Sequence, residues 1–336
     1  MNENLNFLTM KNNNLPKYED ILNKPAFVVS LKRASARYQH TKKLLKDAGF
    51  KKIFPFEGLD VVSARDSEEE WDQRLRPFGE MFGTPFKKRN DGTWHKGCGG
   101  QLGMKMSIIT LWGWLAASNK EGLMIFEDDA LPRPDFKEVF PKFWNSIEEE
   151  NVDMVYVGAQ IHPNDFKEAM SDNGYYTKKA AQCLHAHYIT KQGARKFMYA
   201  MPYLSEYGLK VFNETGENDM GIGTIDSLLL RLSNKVALSN DFKKVGMDPS
   251  VLPDFNSISF VGEKIEVKGE YKGRPWDKRD HGIIHQNADL GSTIHGLNVS
   301  KMRDEEETKK QGKNVFHDTI LEMDSETGES KIKKNE

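Results

Sequence analysis

The sequence predicts an α/β fold whose ligand site lies beyond the carboxyl ends of its strands. Three observations carry this. Leu123-Met124-Ile125-Phe126 is an apolar run that leads straight into Glu127-Asp128-Asp129. Residues 25–31 form a second strand-like run, followed by a basic turn, 32–37, and a helix-compatible segment to Lys46. Strand-like and helix-like segments keep alternating, through 152–157 and 183–190. Such alternation builds a sheet covered by helices, and open sheets of this kind place ligands beyond their strand ends.

The acidic triplet organises the rest. Three adjacent negative charges repel one another unless a cation offsets them. Glu127 and Asp129 are two apart and share a face if the strand continues through them, as in an Asp-x-Asp-like divalent metal site. A solvated acidic turn ending the strand is the alternative.

Composition narrows the classes. At 336 residues, 38% hydrophobic and 29% charged, the chain suits a soluble globular protein with polar tails. A net charge of -2 gives no global basic field for nucleic acid. Cys98 and Cys183 are too few for a disulfide framework and fit a reducing compartment. Residues 1–16 are rich in Asn and lack a signal-peptide core, and no apolar run approaches about 18 residues. A cytoplasmic protein without a membrane span is expected.

Taken in order, residues 1–23 read as a flexible arm. After the strand 25–31, backbone N–H groups at the helix start and Arg33 or Arg37 suit a diphosphate, with a solvated basic helix as the alternative. Residues 52–57 read as a second short strand. Residues 63–98 change character, with acids at 66–70, basic residues at 87–89 and scattered Pro and Gly. They read as an insertion whose Trp71, Phe78, Phe82, Phe86 and Trp94 stack on sugar rings or form a satellite core. Residues 101–118 read as a buried apolar helix with its C-cap near Gly122. Asp135 and Glu138 have capping-box spacing for a helix to about residue 149, its start delayed by Pro141.

In the strand 183–190, His185 and His187 alternate onto one face, as a metal pair, as cleft-lining residues or as packed histidines. Thr190 caps a short helix, 191–201. A Gly-containing loop, 217–226, enters a helix at 226–234, where Asp226 is either the N-cap or a carboxylate beside a cleft. Residues 236–238 and 257–261 read as late strands. His281 and His285 come near the end of the fold. Residues 301–336 read as a charged tail with at most a short helix near 315–323.

Several blocks together resemble glycosyltransferase family 25, the lipopolysaccharide-type glycosyltransferases and collagen galactosyltransferases. Residues 26–37 resemble its first strand and Leu-x-Arg turn. Residues 100–112 resemble its Gly-Glu-Ile-Gly-Cys-x-x-Ser-His helix. Ile125-Phe126-Glu127-Asp128-Asp129-Ala130 matches its Glu-Asp-Asp signature. Residues 185–190 and Thr224-Ile225-Asp226 resemble its Ala-Tyr-Leu-Ile and Pro-Ile-Asp blocks. Ile284-His285-Gln286 and Ser292-Thr293-Ile294 resemble closing elements, so the likeness covers roughly residues 25–297. Met104, Ile108, Thr224 and His187 depart from the family pattern and mark a divergent member.

The resemblance implies a GT-A-like, Rossmann-type nucleotide-sugar fold with a mixed, mostly parallel sheet flanked by helices. It implies one domain over 24–300, with a nucleotide-sugar half at about 24–160 and an acceptor half at about 161–300. The implied activity is inverting transfer of a sugar from a nucleotide donor, UDP-linked, to a glycan or other hydroxyl acceptor, with Mn²⁺ or Mg²⁺. The donor would meet Ser30, Leu31, Arg33, Arg37, Glu57, Gln101, Ser107, Glu127 and Asp128. The metal would sit on Asp129 first, then Glu127 and His285, with His281 as the alternative ligand. Asp226 would be the base, with Asp219 or Glu217 in reserve. His185, His187 and Tyr188 would face the acceptor. The competing readings are an inactive glycan-binding module and a metal-dependent nucleotidyl or phosphoryl transferase.

Overall fold

The computed structural model describes residues 15–61, 69, 73, 97–160, 176–215, 224–260, 284–286, 320–323 and 330–333. The insertion aromatics Trp71, Phe78, Phe82, Phe86 and Trp94, together with Glu217, Asp219 and His281, lie outside the described residues.

The core is a seven-stranded sheet in the order β2-β1-β3-β7-β5-β8-β6. Its strands are β1 (Pro25–Ser30), β2 (Lys52–Glu57), β3 (Gly122–Glu127), β5 (Met154–Gln160), β6 (Tyr176–Thr177), β7 (Gln182–Thr190) and β8 (Ser257–Phe260). Pairing is parallel for β1 with β2, β1 with β3 and β5 with β8. It is antiparallel for β3 with β7, β5 with β7 and β6 with β8. The sheet is therefore mixed, with parallel and antiparallel pairings in balance rather than mostly parallel. The parallel trio β2-β1-β3 brings Ser30, Glu57 and Glu127 to one edge.

Strand β3 is buried at every position, as its unbroken apolar run requires. Alternate residues feed two cores. Leu123 and Ile125 face Ile108, Leu111, Trp112 and Leu115 of helix α3 (Gly97–Ala117). Met124 and Phe126 join Phe136, Phe140, Phe143 and Trp144 of helix α4 (Phe136–Ser146). The spacing of those four aromatics puts them on one helical face. Helix α2 (Ser35–Ala48) ends at Gly49, whose φ of 113° suits a residue without Cβ. Among the described residues no helix is long and apolar enough to cross a membrane.

Several sequence expectations are corrected. Residues 15–23 are packed rather than loose. They hold the single turn α1 (Tyr18–Ile21), Leu15 and Ile21 are buried, and Trp144 Nε1 donates to Pro16 O at 2.7 Å. Helix α3 stops at Ala117, and Gly122 opens β3 instead of capping the helix. There a Cβ would lie against the Tyr188 hydroxyl. Pro141 lies inside α4, and Asp135 makes no cap bond because Arg133 engages its carboxylate at 2.9 and 3.0 Å.

Helix α5 (Lys191–Thr215) is longer than expected. Its buried series Phe197, Met201, Leu204 and Tyr207 continues past Pro202. Thr190 does cap it, accepting from Gly193 N at 2.9 Å. Helix α6 (Ile225–Ser233) is followed by α7 (Lys235–Lys244), which replaces the strand expected at 236–238. Leu238 and Phe242, four apart, are both buried, and Asn234 caps the turn. Residues 320–323, placed in a short tail helix from sequence, instead form strand β10 (Ile320–Met323), paired with β11 (Ser330–Lys333).

Candidate active site

Strand β3 ends at Glu127, and Asp128 and Asp129 form the turn into strand β4 (Ala130–Pro132). The strand does not continue through the triplet, so Glu127 and Asp129 do not share a strand face. The chain turns because β4 leaves the main sheet to pair antiparallel with β9 (Ile284–Gln286).

All three carboxylates are buried, with Glu127 9%, Asp128 4% and Asp129 3% exposed. Arg37, itself 7% exposed, bridges two of them. Its Nη2 lies 2.7 Å from Asp128 Oδ1 and 3.1 Å from Asp129 Oδ2. Ser30 Oγ donates to Asp128 Oδ2 at 2.7 Å, and Thr41 Oγ1 donates to Asp128 O at 2.6 Å. Arg37 and Thr41 are one helical turn apart, so α2 presents both to the acidic turn. The guanidinium suggested for a diphosphate is thus turned inward, onto the acids.

One guanidinium does not neutralise this cluster. Burial first, then Asp129, Asp128 and Asp226, push the Glu127 carboxyl well above the usual range, with Arg37 opposing. Burial pushes Asp128 up to about 6 despite Arg37 and the Ser30 hydroxyl. A surplus of buried hard-oxygen acids is the chemistry that takes a divalent cation. Yet among the described residues no group of three His, Cys, Asp or Glu side chains converges to hold one. The donor set fits such an ion in charge and atom type, and its coordination shell would need ligands beyond those side chains. His285 is opposite Leu131 in the β4–β9 pairing, two residues past Asp129.

Asp226 sits in the first turn of α6 and is not its cap. Thr224 fills that role, accepting from Ser227 N. This frees the Asp226 carboxylate to reach the start of β7, where its Oδ2 accepts from Cys183 N at 3.3 Å, while its Oδ1 accepts from Ser227 N at 3.0 Å. Cys183, whose N–H makes the first of these bonds, has a φ of 67°, unusual for a residue with a side chain. The field of Asp226 also reaches buried Tyr156 and Glu127.

Other expected site residues fall in several places. Ser107 is buried, donating to Gly103 O at 2.6 Å and accepting from Leu59 N at 2.8 Å, so it joins α3 to the loop after β2. Glu57 is exposed at the end of β2, in register with Ser30. Leu31 and Gln101 are half-buried, and Arg33 lies in the short 3₁₀ turn Lys32–Ala34.

The trio read as facing the acceptor is not brought together. His187 is fully buried on the α3 side, edge-on to Trp112, with its ring centroid 5.8 Å away. Burial lowers its pKa to about 4. Tyr188 points to the opposite face against Trp144, as strand alternation dictates. His185 is 1% exposed and bonds Ile284 O at 2.8 Å. Sequence reading missed the parts played by Arg37, Thr41 and Cys183. Only the Arg37–Thr41 spacing carried a legible signal.

The profile of "Glycosyltransferase family 25 (LPS biosynthesis protein)" matches residues 23–207, more than half of the chain. The chain therefore belongs to glycosyltransferase family 25, and is a glycosyltransferase. No curated protein sequence matches it. Similar solved structures include the galactosyltransferase LgtC in complex with donor and acceptor sugar analogues. It is 10% identical, with 70% of this chain and 86% of that one covered, at a TM-score of 0.32. Mouse xyloside xylosyltransferase 1 is 12% identical over 67% and 76%, at 0.28. The glycosyltransferase GlyE of Streptococcus pneumoniae TIGR4 is 12% identical over 89% and 67%, also at 0.28.

Proposed function

We propose that this chain is a metal-dependent, inverting glycosyltransferase of GT-A-like architecture, moving a sugar from a UDP-linked donor to a hydroxyl of a glycan acceptor. The observation that carries the reading is the buried surplus of carboxylates at the end of β3, with Arg37 as their counter-charge, in a chain of this family.

In this reading Asp129 and Glu127 would hold Mn²⁺ or Mg²⁺, with His285 as a further ligand, and an ion bound there would supply positive charge against the departing diphosphate. Arg37 and Ser30 fix the acidic turn, and Ser30 and Glu57 border the donor at the parallel strand ends. Asp226 takes the acceptor hydroxyl proton as that oxygen attacks the anomeric carbon. Its carboxylate is held by the Cys183 and Ser227 amides, so both of its oxygens have fixed places before substrate arrives. The donor half is assigned to about residues 24–160 and the acceptor half to about 161–300.

The test is a panel of nucleotide sugars with Mn²⁺, read by released nucleoside diphosphate. One UDP-sugar should be consumed, and Asp226→Asn should bind that donor normally while losing transfer about 100-fold or more. Near-normal turnover by Asp226→Asn would remove Asp226 as the base. Stabilisation by free glycans alone, with no donor consumed, would favour a binding module instead.

A further inference from the structure

We propose that His185 is a positioning residue, whose bond to Ile284 fastens the strand Ile284–Gln286 across the acidic turn. The proposal rests on the reading of that turn as the donor site. A backbone carbonyl only accepts, so the 2.8 Å contact has His185 Nε2–H donating to Ile284 O. The bond is buried and joins residues 99 positions apart. Ile284 is itself fully buried, packed in the same core as Phe126 and Ala130.

Gly158 makes room for the bond. A Cβ there would lie 2.5 Å from Ile284 O, 2.5 Å from His185 Cδ2 and 2.6 Å from His185 Nε2. The register of β5 against β7 shifts on either side of Gly158, which brings its bare Cα to this point. The strand so fastened needs an anchor. β4 and β9 are three residues each, and a two-stranded ribbon of that length does not hold itself together. β9 nevertheless sets Leu131 opposite His285 and Ala130 opposite Gln286, directly after Asp129. His185 therefore reaches the chemistry through the backbone of β9, and not by touching an acceptor.

The experiment compares wild type with His185→Leu, His185→Gln and Gly158→Ala. It measures hydrogen exchange of the amides of residues 284–286, thermal unfolding, and UDP binding with Mn²⁺ by calorimetry. Losing one buried bond should speed exchange at 284–286 about 10-fold in His185→Leu, with the amides of β1 and β3 unchanged. Gly158→Ala should do the same by wedging the bond apart. His185→Gln, which keeps an N–H donor, should recover part of the protection. UDP affinity should fall about 10-fold in the first two variants and less in the third. Unchanged exchange at 284–286 in folded His185→Leu overturns the proposal, as does acceleration spread evenly over the sheet. Should His185→Leu not fold, the same two outcomes in Gly158→Ala decide. The exchange measurement needs no ligand. A wild type that ignores UDP therefore counts against the donor reading, while the fastening of β9 is judged by exchange alone.

Discussion

Arg37→Met tests whether one guanidinium keeps the acidic turn folded. The two contacts, at 2.7 and 3.1 Å, join side chains 8% and 5% exposed. At an effective dielectric of about 20, those separations correspond to roughly 6 and roughly 5 kcal/mol of attraction. Guanidinium desolvation offsets several kcal/mol of that, and removing one partner of a buried pair costs about 3–5 kcal/mol. We expect that loss at pH 8, measured by urea unfolding in EDTA. It should shrink at pH 5. Asp128 has a folded pKa of about 6 against an ordinary value of 3.8, so it is a raised group. Its contribution to stability is complete below the ordinary value and is lost as pH rises through about 6. Without Arg37 the folded pKa moves higher and the loss on the alkaline side deepens. Arg37→Lys, which keeps the charge but not the fork, should fall between. A change below about 1 kcal/mol at pH 8, or an equal change at both pH values, would refute Arg37 as the counter-charge.

Other predictions are independent of this one. Asp129→Ala should abolish the dependence of UDP binding on Mn²⁺ or Mg²⁺, and equal calorimetric affinity with and without EDTA in wild type would count against an ion there. His187 is neutral and buried, its pKa lowered from 6.5 to about 4. Its depressed pKa should cost the fold about 3 kcal/mol as pH falls from about 6.5 to about 4, and His187→Leu should flatten that part of the stability profile. The buried pair Lys196–Asp153, at 2.7 Å, also draws in the Asn256 amide at 2.9 Å. Asp153→Ala should therefore destabilise by about 3–5 kcal/mol in denaturant, and Asp153→Leu with Lys196→Met should recover much of it. Gly193→Ala should destabilise, since its Cβ would sit against the Asp153 carbonyl oxygen; an unchanged midpoint would mean that helix α5 can shift.

Period and punctuation made much of this protein legible. The apolar run 123–126 had to be a buried strand, since every residue is large and apolar, and its acids had to emerge at the strand's end. The Thr190 cap could be read because capping is local, involving atoms three residues apart. The family was readable because its blocks keep their order along the chain. Local signals misled where packing overruled them. Val236-Ala237-Leu238 has strand-like composition, yet burial of Leu238 and Phe242 on one face made it a helix.

Tertiary structure alone decided the partners of the charges. Nothing in the sequence says that Arg37 meets Asp128, 91 residues away, and not a phosphate. That choice follows from α2 packing beside the end of β3, where a buried carboxylate without a counter-charge would cost more than the helix gains. Nor does alternation alone reveal that His185 reaches Ile284 past a glycine, because that contact depends on a bulge in a neighbouring strand. The sequence by itself determined most strands of the main sheet, the acids and the family. The three-dimensional fold decided which group neutralises which, since Coulomb and desolvation energies depend on distance through space and not along the chain.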